Sequence, residues 1–209
     1  MKINDEIFDK VTEVNAKVLV VTKYFDAEKT QNIFDQVKSR NSFLALGENR
    51  IDDIEKKNLP RGKVHFIGKI QSRNIPKIFQ FCSAIHSLES VKHAQMFDNL
   101  ARTAGEKFGV FLQINISGEE QKAGVGLKQF SCFLSEVLNL ENLEILGISA
   151  IGAGKFTLIE KQAEFALLKK IRDKSFPNKK ISAGTSRDFE IALSQGIEVV
   201  RIGKKLFNF

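Results

Sequence analysis

The chain has 209 residues, 43% hydrophobic and 27% charged. That is the length of one ordinary domain and the composition of a globular core, which excludes a disordered or collagen-like chain. No apolar run approaches the roughly 18 residues of a spanning helix, and the amino end Met1-Lys2-Ile3-Asn4-Asp5-Glu6 is acidic where a signal peptide is basic and then apolar, so a soluble, cytoplasmic protein is expected.

In chain order, a helical pattern over residues 5–15 precedes the first of eight short β-branched runs, at 17–21, 42–46, 64–67, 84–88, 110–116, 143–150, 180–183 and 199–202. Helical patterns lie between them at 27–39, 91–107, 127–140, 158–173 and 188–194; in the fourth, Phe165, Leu168 and Ile171 give one apolar face that docks on a sheet. Eight strands alternating with helices in a chain this short predict an α/β fold, a single-domain (β/α)8 barrel of TIM type over residues 1–209 with an extra N-terminal helix. An open doubly wound sheet is the alternative.

The 32 basic and 25 acidic residues leave a net charge of +7, which suits an anionic small molecule or a nucleic acid. Lysines interleaved with acids, as in Glu55-Lys56-Lys57, and the lack of an aromatic-studded basic stripe favour a solvated surface, so no nucleic-acid partner is expected. Cys82 and Cys132 form no ligand spacing and read as two buried thiols; His65, His86 and His93 lack the spacing of helical metal ligands, so no metal is expected.

In either fold, chemistry collects beyond the carboxyl ends of the strands. Lys23 follows Val18-Leu19-Val20-Val21-Thr22 directly, an amine held in apolar surroundings, where desolvation favours the neutral form needed for a Schiff base; a surface lysine ending a strand is the competing reading. Ser182-Ala183-Gly184-Thr185-Ser186-Arg187-Asp188 closes the seventh strand. Thr185 with Asp188 fits a capping box, and Gly184 would let an anion approach the helix-start amides; an ordinary strand-to-helix turn explains the pattern equally well. Arg201 lies in the apolar run of the eighth strand, then Gly203, Lys204 and Lys205 follow; pairing of Arg201 with Glu48 or Asp188 is the purely structural alternative. Gly47-Glu48-Asn49-Arg50 is weak evidence alone, and Lys122, in the polar loop after strand five, is a second candidate amine.

Taken together and in order, these segments resemble the pyridoxal phosphate homeostasis protein family, one-domain relatives of the alanine racemase barrel. The resemblance runs from Lys17 to Phe207 and rests on Val20-Val21-Thr22-Lys23, Gly47-Glu48-Asn49-Arg50, His65-Phe66-Ile67-Gly68, Ile85-His86-Ser87, Gly147-Ile148-Ser149-Ala150, Ser182-Ala183-Gly184-Thr185-Ser186 and Val200-Arg201-Ile202-Gly203. It implies pyridoxal 5'-phosphate (PLP) as cofactor, Lys23 as the Schiff-base lysine, Ser182, Gly184, Thr185 and Ser186 as the phosphate cradle with Gly203 and Lys204 beside it, and Arg201 near the pyridine nitrogen; Asn49 and His86 would line the mouth. Where relatives carry small or hydroxyl residues after the last strand glycine, this chain has Lys204-Lys205. The implied function is a non-catalytic, monomeric carrier that buffers PLP or delivers it to PLP-dependent apo-enzymes. A PLP-dependent racemase and a cofactor-free Schiff-base enzyme acting on a sugar phosphate are the alternatives. Against the racemase stands the single tyrosine, Tyr24, expected to point away from Lys23 along an extended strand.

Overall fold

Eight parallel strands close on themselves in a computed structural model that describes residues 2–119, 122–152 and 157–208. They are β1 (Lys17–Val21), β2 (Phe43–Glu48), β3 (Val64–Phe66), β4 (Ala84–Leu88), β5 (Phe108–Asn115), β6 (Leu143–Ala150), β7 (Lys180–Thr185) and β8 (Val199–Ile202). Each pairs with the next, and β8 returns to β1 with Val199 opposite Lys17 and Ile202 opposite Val20. That last pairing excludes the open sheet.

Side-chain alternation divides the apolar residues into two sets. Leu19, Ala45 and Val199 pack with one another inside the barrel. Their neighbours Val18, Val20, Leu46 and Val200 point outward into the main core beneath the helices. The barrel interior is therefore narrow and partly polar, and it holds His65, His86, Ser182 and Arg201.

The helices are α1 (Asp5–Glu13), α2 (Ala27–Val37), α3 (Ile51–Lys57), α4 (Ile75–Phe81), α5 (Val91–Ala104), α6 (Leu127–Leu138), α7 (Leu158–Ser175) and α8 (Phe189–Ser194). Helices α3 and α4, seven residues each, are absent from the sequence expectation because two turns are too short to establish a period. Strand β8 is followed by a tight turn, Lys204–Leu206, and by Phe207–Asn208, which pair antiparallel with Lys2–Ile3, so no helix follows it among the described residues. The predicted N-terminal helix takes the vacant place in the outer ring: Lys10 of α1 reaches Glu190 of α8 at 2.6 Å, and Arg40, just past α2, pairs with Asp5 at 2.6 Å and lies over the Phe8 ring.

The capping box expected at Thr185 and Asp188 forms only in part, and a complete one stands at Thr157 and Glu160, where the Thr157 hydroxyl accepts the Glu160 amide and the Glu160 carboxylate accepts the Thr157 amide, opening α7. The expectation of two buried thiols holds for Cys82 only. Burial pushes that thiol up to about 12, so it is inert, whereas Cys132 is exposed.

Candidate functional site

A cavity of about 560 Å³ opens at the carboxyl-terminal mouth of the barrel. Its wall brings together Lys23, Thr185, Ser186, Arg201, Gly203 and Lys204, all singled out from the sequence, with Val21, Ile67 and Ile151 as its apolar part and the exposed Tyr24 and Arg187 beside them. The volume falls in the range of small-molecule sites. Among the described residues, every ionisable group in the lining apart from the Tyr24 phenol is a cation, which suits a ligand carrying negative charge.

Lys23 is placed there by a turn. Beyond β1 the Thr22 amide still reaches the Gly47 carbonyl of β2, but the Phe25 amide then closes back on the Thr22 carbonyl at 3.0 Å. A buried ion pair fixes that turn from behind. The Lys57 ammonium of α3 donates to Glu48 at 2.5 Å and to the Thr22 carbonyl at 3.0 Å, while the Thr22 hydroxyl donates to Glu48 at 2.6 Å. Burial lifts the Glu48 carboxyl above its ordinary pKa, opposed by the hydrogen bonds from Lys57 and Thr22. The Lys23 ammonium itself lies 5.0 Å from the centre of the Tyr24 ring and makes no hydrogen bond or ion pair among the described residues.

The turn corrects one expectation. Tyr24 does not point away from Lys23 along an extended strand; both side chains line the cavity, and the Lys204 ammonium approaches the same ring at 5.0 Å. Lys122, the other candidate amine, is committed elsewhere: it pairs with Glu119 at 2.5 Å and donates to the Gly152 carbonyl at 3.2 Å, and it is no part of this cavity.

On the far side of the cavity, β7 runs to Thr185, two residues beyond its expected end. Asp188 precedes α8 and turns its carboxylate back to accept both the Thr185 amide (2.6 Å) and the Thr185 hydroxyl (2.9 Å), so only one arm of the expected capping box forms; the Asp188 amide donates to the Thr185 carbonyl and not to its hydroxyl. The Thr185 amide is thus already spent. Lys161 stands 3.5 Å from the other Asp188 oxygen and offsets its charge. At φ +84° and with a Cβ that would come within 2.6 Å of the Ala192 methyl, Gly184 is required by the docking of α8. The Ser186 hydroxyl accepts the Gly203 amide at 3.2 Å, which ties the loops after β7 and β8 together.

Arg201 is buried and pairs with neither Glu48 nor Asp188; it donates from Nη2 to the Ala150 carbonyl at 2.6 Å. Burial brings its pKa down to about 10, with Asp188 opposing, so it stays charged at neutral pH. His86 and Ser182 were expected at the mouth, but both are buried inside the barrel and neither lines the cavity: His86 Nδ1 is 2.8 Å from Ser182 Oγ, its Nε2 is 2.9 Å from His65 Nδ1, and its ring stacks on Phe111. Asn49 is likewise outside the lining, its carbonyl packed where a Cβ on Gly68 would come within 2.4 Å, and its buried side-chain oxygen has no partner among the described residues.

The family model of the alanine racemase N-terminal domain matches residues 11–208. The chain is 30% identical over 199 residues to the pyridoxal phosphate homeostasis protein of Helicobacter pylori, covering 92% of this chain and 87% of that one. Among solved structures, PipY of Synechococcus elongatus with PLP bound aligns at a TM-score of 0.81 and 24% identity, covering 97% of this chain and all of that one. An unknown protein from Bifidobacterium adolescentis aligns at 0.85 and 24% identity over 97% of this chain and 92% of its own. These two structures share the barrel fold with this chain.

Proposed function

Because the chain belongs to the pyridoxal phosphate homeostasis protein family, built on the alanine racemase N-terminal domain, we propose that it holds PLP in the Lys23 cavity and, as a cytoplasmic monomer, buffers that aldehyde or delivers it to PLP-dependent apo-enzymes. What supports this above all is that one cavity joins an uncommitted amine, Lys23, to two hydroxyls and three further cations, Arg187, Arg201 and Lys204. The residues fit the group. When bound, PLP supplies an aldehyde able to link to an amine and a pyridine ring able to draw electrons from an attached carbon.

In this reading Lys23 is the point of attachment. The Ser186 hydroxyl, which accepts the Gly203 amide and keeps its own proton to give, would donate to the phosphate, with Lys204 and Arg187 neutralising its charge, while the Thr185 hydroxyl is already spent on Asp188. Arg201, held by the Ala150 carbonyl, would set a fixed cation on the side of the pyridine nitrogen, disfavouring its protonation and so making the ring a weaker electron sink. Racemisation needs an acid and a base on opposite faces of one carbon. Lys23 and Tyr24 come from the same turn, Tyr24 is 62% exposed, and the other ionisable groups of the lining among the described residues are cations. Carrying is thus favoured over catalysis.

The test is to incubate the purified protein with PLP, reduce with borohydride, and map the adduct by mass spectrometry. The expected result is a visible band abolished by borohydride and a pyridoxyl mass on Lys23, both missing in Lys23→Ala. A full reducible band in Lys23→Ala, or an adduct on Lys122, would overturn the Lys23 assignment; no band in the wild type would overturn the cofactor reading and leave the sugar-phosphate alternative.

A further inference from the structure

A second cavity, of about 430 Å³, lies at the opposite, amino-terminal mouth of the barrel. Its wall is formed near the starts of the strands, by Leu44 of β2, His65 of β3, Ala84 of β4, Gly109 of β5, Glu144 of β6 and Lys180 of β7. This end of a TIM barrel ordinarily serves stability. Here it collects three ammonium groups, Lys107, Lys179 and Lys180, against one carboxylate, Glu144, and none of the four makes an ion pair among the described residues. Phe111 and Leu146 give the same cavity an apolar wall.

His65 is the second observation. It is 7% exposed, borders this cavity, and has Nδ1 2.9 Å from His86 Nε2. His86 Nδ1 in turn lies 2.8 Å from the Ser182 hydroxyl, whose only hydrogen-bond partner among the described residues is that nitrogen. A buried hydroxyl with one neighbour satisfies its donor by giving its proton to that neighbour. His86 then carries its own proton on Nε2 and donates it to His65 Nδ1, which puts the His65 proton on Nε2. The chain of three side chains thereby fixes the tautomer. Its far end is an N–H with no partner among the described residues, on a ring whose other nitrogen is taken, in a residue that borders the cavity. Burial, reinforced by the nearby Lys180 ammonium, holds the His65 pKa at about 4, so at neutral pH the ring donates without being charged.

We propose that the amino-terminal mouth is a second binding site for a small organic anion, whose carboxylate or phosphoryl oxygens meet the lysine ammonium groups and the His65 Nε2–H and whose apolar body lies against Phe111 and Leu146. The anion relieves the mutual repulsion of the lysines and satisfies the unspent N–H, while the apolar wall sets it apart from a bare counter-ion site. The site is independent of the PLP reading, because its residues and those of the Lys23 cavity lie at opposite ends of the strands.

Phenyl phosphate, benzoate and inorganic phosphate are titrated into wild type and Lys23→Ala, with backbone amide and histidine ring resonances followed by NMR. The expected result is saturable shifts of the His65 ring and of the amides of Lys107 and Lys180, the same in both proteins, with at least one aromatic anion binding more tightly than inorganic phosphate. The doubly substituted Lys107→Ala, Lys180→Ala protein, altered only at the surface, should bind that anion at least tenfold more weakly while keeping its native spectrum. Shifts confined to residues of the Lys23 cavity, an affinity unchanged by the lysine substitutions, or the absence of saturation would each overturn the site. Equal affinity for inorganic phosphate would overturn the apolar part of the assignment.

Discussion

At the scale of single residues, chemistry is decided by which groups are already paired. Lys23, Lys57, Lys122 and Lys161 are all lysines inside or at the edge of the barrel, yet three of them hold carboxylates and only Lys23 does not. The same reasoning makes Lys204 a testable addition to the phosphate grip, since the Thr185 amide is spent on Asp188 and the cavity cations must do more of the holding. Lys204→Ala should weaken PLP binding by roughly tenfold, the order expected for one charge-assisted contact; unchanged affinity in a spectroscopic titration would place Lys204 in solvent. Pyridoxal, lacking the phosphate, should bind more weakly still. His65 carries a pH dependence whose direction follows from its burial. With the folded pKa near 4 against an ordinary 6.5, the neutral ring is favoured by the fold, so its contribution is complete above pH 6.5 and is lost as the pH falls toward 4. About 3 kcal/mol is at stake by the usual conversion of pKa to free energy. Urea midpoints measured from pH 7 to pH 4 should fall more steeply in the wild type than in His65→Gln, and parallel curves would contradict this.

At the scale of elements, the short helix α3 has a function its length conceals. Its last residue, Lys57, is buried against Glu48 at the end of β2 and against the Thr22 carbonyl, so α3 sets the turn that carries Lys23. Removing one partner of such a pair strands the other charge and costs roughly 3–5 kcal/mol, whereas replacing both by apolar groups is often close to neutral. Lys57→Met and Glu48→Gln should therefore each destabilise strongly, and the double substitution Lys57→Met, Glu48→Leu should recover much of the loss in chemical denaturation. The recovered double variant should nonetheless form less Lys23 adduct under borohydride, because the hydrogen bonds that orient the Thr22 turn are gone. Full adduct formation would show that α3 serves stability alone. The contact of α8 with β7 is tighter, since Gly184 leaves no room for a methyl beside Ala192.

At the scale of the whole molecule, barrel closure places an electropositive mouth at the carboxyl ends of the strands, and among the described residues no carboxylate lines it to act as an acid–base partner. General acid–base catalysis commonly contributes on the order of a hundred- to ten-thousandfold, so the PLP-loaded protein should convert single L-amino acids no faster than PLP in free solution. Enantiomer composition and keto-acid formation are the measurements, with Lys23→Ala as control. Several turnovers per minute that depend on Lys23 would restore the racemase reading, for which Tyr24, now found in the same cavity, would be the first residue to substitute.

The sequence by itself determined the alternation of eight strands with helices, because strand and helix periods are local properties, written into every run of ten or twenty residues, while closure into a barrel was decided by the pairing of β8 with β1. It also located Lys23, Thr185, Ser186 and Arg201, since the ends of parallel strands converge wherever a barrel forms. Only the tertiary structure decided the partners. Tyr24 joins Lys23 because Lys57, 35 positions from Thr22, helps to hold the turn, and Asp188 is drawn to Thr185 while Lys161, from another helix, stands by to offset its charge. His86 and Ser182, 96 positions apart, withdraw from the mouth because each satisfies the other in the barrel interior. A hydrogen bond across a closed barrel leaves no periodic trace in either segment, so it becomes visible only once the strands that carry its two ends have been brought side by side.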